Sequence, residues 1–264
     1  MSLYRAGKPK ATAAELNAFL FNMNRHNPNF NFYSGSQFSR AEKSIYLTTK
    51  RSSTTANQAF LFVNMQKREN YWNLPYPFGI ANVPVADIID IDECSIFLEQ
   101  INRTCGKGMQ GDRVTEQGAY SKTAKVNLMM AICGDPAMPE RWHEMWEEGG
   151  TTIDRFVDFL ERVINDLEAI APNRTFYFTM DNLSSHTSAR VSNLVIGRGH
   201  RLIFRAPYYP IDGAIEYVFN TLQASLRLKM YQIDTREDLM LNIEQSIANI
   251  AIFTPYFCHV GFVL

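Results

Sequence analysis

Residues 174–207 read RTFYFTMDNLSSHTSARVSNLVIGRGHRLIFRAP. RTFYFTM is a short apolar, aromatic-rich run that stops at Asp181, the pattern of a buried strand. SARVSNLVIGRG is a short helix closed by glycine, and RLIFRAP is the next strand, ended by proline. Working upstream, TTIDRFVDFLERVINDLEAI (151–170) is the clearest helix in the chain. Its apolar residues Ile153, Phe156, Val157, Leu160, Val163, Ile164, Leu167 and Ile170 recur at three-and-four spacing, Asp154 lies in its acidic first turn, and Pro172 closes it. Further upstream, VADIIDID (85–92) alternates like a strand, and EQINRTCG (99–106) and KVNLMMAICG (125–134) are two more β-compatible runs. Downstream, AIEYVFNTLQASLRL (214–228) and REDLMLNIEQSIANIAIF (236–253) are amphipathic helices. Three strands followed by helix, strand, helix, strand and helix give an α/β fold with a mixed sheet flanked by helices.

Composition sets the outer bounds. The 264 residues are 46% hydrophobic and 20% charged, which supports a sizeable core and excludes a disordered, collagenous or coiled-coil chain. Four cysteines (Cys94, Cys105, Cys133, Cys258) form no CxxC pair, which suits a reduced intracellular protein rather than a cysteine-rich zinc module. No apolar segment follows the basic start MSLYRAGKPK, so no secretory signal is expected. The apolar stretch 247–264 is broken by Asn249, Thr254, Pro255 and His259 and reads as a buried terminal segment rather than a membrane span. No Gly-rich Walker loop occurs, so nothing supports an ATP-driven mechanism.

The net charge of −1 hides a split. Residues 1–75 hold ten basic residues against Glu15, Glu42 and Glu69, a net of +7; the rest of the chain carries −8. A basic front suits phosphate contact and an acidic remainder tolerates a divalent-metal site, although solvated faces alone could produce such a split. The front is helical. Residues 13–26 form one helix, NPNFNFYSGSQ connects, and SQFSRAEKSIYL (36–47) forms a second, with the basic TTKRSS and its Lys50 and Arg51 behind it. Two short helices followed by basic residues resemble part of a helix-turn-helix unit; an ordinary helical cap is the competing reading. The Pro- and aromatic-rich YWNLPYPFG (71–79) marks a junction, so residues 1–80 are expected as a DNA-binding region with linker and 81–264 as the core domain.

Three carboxylates lie at element ends that a sheet of this kind points into one crevice: Asp92 in IIDIDE, Asp181 in FYFTMDN, and Glu216 in the first turn of its helix. Hard oxygen donors without clustered His or Cys suit magnesium or manganese, and two such ions can hold the attacking and leaving oxygens of a phosphodiester displacement. Each residue also has a structural reading. A strand-end Asp forms turns, a helix-start Glu is favoured by the helix dipole, and Asp90 shares a strand face with Asp92, leaving the register open.

As a set, the residues resemble a family. Asp92 and Asp181 have 88 residues between them, and Asp181 and Glu216 have 34. The flanking words MDNLSSH and RAPYYPIDGAIEYVFNTLQ stand in order on the expected elements. The set looks like the D…D…E triad of the mariner-like superfamily of cut-and-paste DNA transposases, over roughly residues 88–227. That resemblance implies an RNase H-like core and a DDE endonuclease that cuts transposon ends and joins them to target DNA. It implies Asp92, Asp181 and Glu216 as ligands of two Mg²⁺ ions (Mn²⁺ as substitute), double-stranded DNA as partner, a homodimer at paired ends, and the nucleus if the host is eukaryotic. Asn182 and His186 match the second motif and brace the site or touch DNA; for His186 a locally satisfied helix-start residue is the competing reading. Arg201 and Arg205 either approach DNA phosphate or are exposed edge residues. Two features depart from the family. Asp212-Gly213-Ala214 stands where a Leu-Asn-Pro-like run is usual, and only about 85 residues precede the first strand, so part of the usual DNA-binding region is expected to be missing. A decayed or domesticated DNA-binding derivative is therefore the alternative reading. Trp142, His143 and Trp146 in PERWHEMWEEGG (139–150) read as core packing, with contact to a partner subunit as the alternative.

Overall fold

A computed structural model describes residues 12–23, 33–44, 56–98, 125–138 and 140–262. Lys50, Arg51 and the β-compatible run 99–106 lie outside the described residues. The chain forms two compact units, residues 1–55 and Ala56–Leu264. In the first, helices α1 (Ala13–Met23) and α2 (Gly35–Ser44) meet through Leu16 and Phe38. Asn17 ties the α2 approach to α1, its amide exchanging hydrogen bonds of 2.7 and 2.8 Å with the Tyr33 backbone.

The second unit begins at Ala56, so the segment 56–80, assigned above to the N-terminal region, is part of the body that holds the sheet. The run read as a junction lies within or directly after helix α3 (Phe62–Asn73). Its Tyr71 clusters with Ile80 and Ile203, with Trp72, Tyr76 and Tyr177 packed around them.

Among the described residues, five strands make one sheet in the order β3-β2-β1-β4-β5. Strands β1 (Ile88–Phe97), β2 (Lys125–Cys133) and β3 (Trp142–Trp146) form an antiparallel meander. Strands β4 (Tyr177–Met180) and β5 (Arg201–Phe204) continue the sheet in parallel from β1. VADIIDID thus divides into a 3-10 turn over Val85–Asp87 and the start of a ten-residue strand. WHEMW is itself the third strand; its two tryptophans are buried in the core, as the packing reading expected.

Period-two alternation distributes the strands between two cores. Ile88, Val126, Leu128, Met130 and Ile132 face helices α6 (Ala214–Leu228), α7 (Arg236–Ala248) and α8 (Thr254–Val260). Ile89, Ile91, Met129, Ala131 and Cys133 face α4 (Ile153–Ile170) and α5 (Ala189–Gly197). Helix α4 starts where the Thr152 hydroxyl accepts the Arg155 N–H at 3.2 Å. It buries Phe156, Phe159, Leu160, Val163, Ile164 and Leu167, each contributing about 1.5–3 kcal/mol of transfer free energy. Residues 254–260 form α8, which buries only Thr254 and Phe257 and exposes Pro255, Cys258 and His259, so the stretch read as buried is largely a surface helix; no described helix is long and apolar enough to cross a membrane.

Candidate active site

Asp90 and Asp92 share the face of β1 that looks toward α6, and the structure separates their roles. Asp90 is 2% exposed. Its Oδ2 accepts the Ile215 N–H at 3.1 Å, its Oδ1 accepts the Thr179 hydroxyl at 2.8 Å, and it pairs with Arg205. Gly213, the N-cap of α6, brings no side-chain acceptor, so Asp90 caps that helix from across the sheet. Asp92, two residues on, opens instead into a cleft of about 530 Å³ lined also by Asp181, Glu216, Glu93, Asn182 and the wall from Arg205 to Pro210. β1, β4 and α6 therefore bring the three carboxylates expected from sequence to one cleft.

Arg205 corrects its reading. It is neither an exposed edge residue nor free for phosphate: at 3% exposure it lies under the cleft, its Nη1 donating to Asp90 and its Nη2 to Asp92. Arg201 sits at the opposite end of β5 from the cleft, its guanidinium 5.2 Å over the Tyr76 ring. Asn182 donates from its side-chain amide to the Arg205 carbonyl, which ties the end of β4 to the end of β5. His186 is fully buried. Its Nδ1 stands 2.6 Å from Asp181 Oδ1, its Nε2 3.1 Å from Glu93, and its ring lies 4.3 Å from that of Phe156. It braces Asp181, its full burial closes the DNA-contact reading, and its pairing with the distant Glu93 as well as Asp181 goes beyond a locally satisfied helix-start residue.

Electrostatics distinguish the carboxylates. Burial pushes Asp92 up to about 7, reinforced by the charges of Asp181 and Glu216 and only partly opposed by Arg205. Burial and the charges of Asp90 and Asp181 likewise raise Glu216. Burial works against Asp181 as well, but the hydrogen bonds from His186 and from the Leu183 N–H outweigh it and hold its carboxyl below the usual range. For His186, burial favours the neutral ring, yet Asp181 and Glu93 together hold it protonated up to about 9. Three mutually repelling carboxylates are a donor set that a hard dication would satisfy. Among the described residues, however, no three His, Cys, Asp or Glu side chains are gathered closely enough to hold an ion, since Arg205 engages Asp92 and His186 engages Asp181.

Sequence reasoning passed over Glu93, although it adjoins Asp92. It also passed over Arg68, which grips the buried Asp212 through two hydrogen bonds of 2.7 Å and stacks 4.6 Å over Tyr209. The departure from the family's third motif is thus a built contact: Asp212 answers Arg68, and Gly213 leaves room for Arg205, since a Cβ there would lie 2.8 Å from its Nη1.

Residues 87–240 match the family described as DDE superfamily endonuclease. The chain belongs to this family. Among solved structures, it resembles the mariner Mos1 paired end complex with Mg at 16% identity and a TM-score of 0.68, covering 98% of this chain and 73% of that one. The Mos1 paired end complex with Mn gives 16%, 0.67, 95% and 75%, and the Mos1 paired-end complex with left transposon end gives 17%, 0.65, 95% and 74%. At that identity the likeness establishes the RNase H-like fold shared with a mariner transposase. No curated protein sequence matches.

Proposed function

We propose that the cleft cuts DNA at a transposon end and transfers the cut end to target DNA. The observation that carries the proposal is the convergence of Asp92, Asp181 and Glu216, from two strands and a helix start, on one open cleft in a DDE superfamily endonuclease. In the first reaction a water oxygen bonds to phosphorus as the P–O3′ bond breaks, leaving a 3′-hydroxyl and a 5′-phosphate. In the second that 3′-hydroxyl attacks a target phosphodiester and releases a new 3′-hydroxyl there. Bound Mg²⁺ or Mn²⁺ would neutralise the developing phosphorane charge and lower the pKa of the attacking water. Their donors would be the three carboxylates, whose oxygen chemistry suits a hard dication although the side chains as they stand are not close enough to share one; the Mos1 structures solved with Mg and with Mn support the reading.

The chain's own residues orient those donors. His186, anchored on Glu93, fixes the rotamer of Asp181, while Arg205, anchored on Asp90, fixes Asp92. Asp90 holds the first turn of α6 and with it Glu216. Double-stranded DNA is the proposed substrate, two copies of the chain on paired ends the proposed assembly, and the nucleus the proposed place of action in a eukaryotic host. The test is Mn²⁺-dependent nicking of supercoiled plasmid by the parent, Asp181→Asn and Glu216→Gln. Loss of about a hundredfold or more in both variants is expected. Nicking that survives both substitutions, or a folded parent that binds DNA without nicking it, overturns the proposal.

A further inference from the structure

Three non-glycine residues have left-handed backbone among the described residues: Asn82, Asn173 and Tyr208 at φ +67°. Asparagine adopts this conformation readily because its side chain bonds to the local backbone; tyrosine does not. Such a conformation persists in a bulky residue only where its surroundings over-determine it. Here they do. On one side the Arg205 N–H donates to the Met180 carbonyl at 2.8 Å, the Asn182 amide holds the Arg205 carbonyl, and Ala206 is buried. On the other, the Tyr209 hydroxyl donates to the Ala59 carbonyl, Arg68 covers the Tyr209 ring, and Asp212 is held by Arg68.

What this anchoring achieves is the placement of one ring. Tyr208 is 49% exposed and stands on the wall of the carboxylate cleft, and Leu183, 45% exposed, lines the same cleft from the loop after Asp181. A large aromatic and a large aliphatic side chain, both exposed beside charged groups, form an apolar rim around a site for phosphate chemistry. We infer that Tyr208, with Leu183, is a stacking platform for a nucleobase unstacked beside the phosphate being cut. The inference rests on the reading of DNA as substrate given above. It assigns a physical reason to the strain: an aromatic face fixed in advance loses little freedom when a base settles on it, and stacking tolerates any base because each has a π-face.

The experiment measures, by fluorescence anisotropy on the full chain, affinity for a short oligothymidylate and for an abasic phosphodiester strand of the same length. Contacts to phosphate count equally for both, so their ratio isolates the base. The parent is expected to prefer oligothymidylate by about tenfold. Tyr208→Phe and Tyr208→Trp should keep the preference, and Tyr208→Ala should lose it. Tyr208→Gly is the decisive variant: it relieves the left-handed strain, so it should unfold at the parent's temperature or higher and still lose the preference. A parent that binds both strands equally, or a Tyr208→Gly variant that retains the preference, overturns the platform while leaving the nuclease reading intact. A chain that binds neither strand and nicks no plasmid overturns both.

Discussion

Arg205 carries a charge at 3% exposure, and its environment shows why that is tolerable: Asp90 and Asp92 accept from two arms of one planar fork. Burying three charges costs more than their attraction returns unless the geometry is satisfied, and deleting one partner strands the others. Arg205→Met should therefore lower unfolding free energy by about 3–5 kcal/mol in urea titrations, and Arg205→Lys should not restore it, because an ammonium cannot reach both carboxylates as a fork does. Gly213→Ala attacks the same cluster from the other side. Its Cβ meets guanidinium atoms pinned by two carboxylates, so the arginine cannot swing away freely. A loss of about 1–3 kcal/mol is expected, together with slower plasmid nicking as Asp92 is displaced. A Gly213→Ala protein as stable and as active as the parent would show that Arg205 has slack. At this scale Asp181 and Glu216 were legible because one directly follows β4 and the other stands in the first turn of α6, whereas Asp92, expected at a strand end, lies in the middle of the ten-residue β1 and was picked out only as part of the set. The Asp90–Arg205 pair was not, because its members are 115 positions apart and an arginine after a strand looks like a surface residue.

Helix α3 supplies the support for the cleft wall, although its sequence FVNMQKRENYWN has no clean apolar stripe. It was missed for that reason, and because YWNLPYPFG invites a junction reading; the tertiary partners Ile80 and Ile203 make its Tyr71 a core residue. β3 was missed because WHEMW is short and half polar, so only its pairing with β2 defines it as a strand. In contrast, α4, β2 and the β4–α5–β5 succession were legible, since their periodicity matches the faces they bury. The link from α3 to the wall is testable. Arg68 is partly exposed, which discounts the pair, but Asp212 is buried and would be left alone. Arg68→Ala is expected to cost about 1–3 kcal/mol and to slow nicking, with Asp212→Asn softening the loss when combined with it. Additive effects in that double-mutant cycle would mean the two residues act independently.

At the scale of the whole molecule, two histidines are buried among the described residues, one with its pKa raised and the other with its pKa lowered, and both lean on α4. His186, beyond the end of β4, lies against Phe156, whereas His200, just before β5, has Glu168 at 3.8 Å. His200 packs among the rings of Phe176 and Phe178, and its Nδ1 accepts the Phe176 N–H at 3.3 Å. Burial lowers its pKa, with Arg198 adding to that and Glu168 only partly opposing it. A histidine whose folded pKa lies below the unfolded value of 6.5 binds fewer protons than the unfolded chain, so its contribution to stability is lost as pH falls below about 6.5. His186 has the opposite sign. Its folded pKa of about 9 exceeds the unfolded 6.5, so its contribution is complete below about 6.5 and is lost as pH rises toward 9. In the metal-free protein, kept in chelator, the two histidines therefore contribute declines on opposite sides of neutral pH, while Asp92, raised to about 7, adds a loss of stability as pH rises toward 7. His200→Gln should flatten the acid decline and leave the alkaline one, and His186→Gln should do the reverse. If His186→Gln instead keeps the parent's alkaline slope, the imidazolium between Asp181 and Glu93 is not what holds that part of the cleft together.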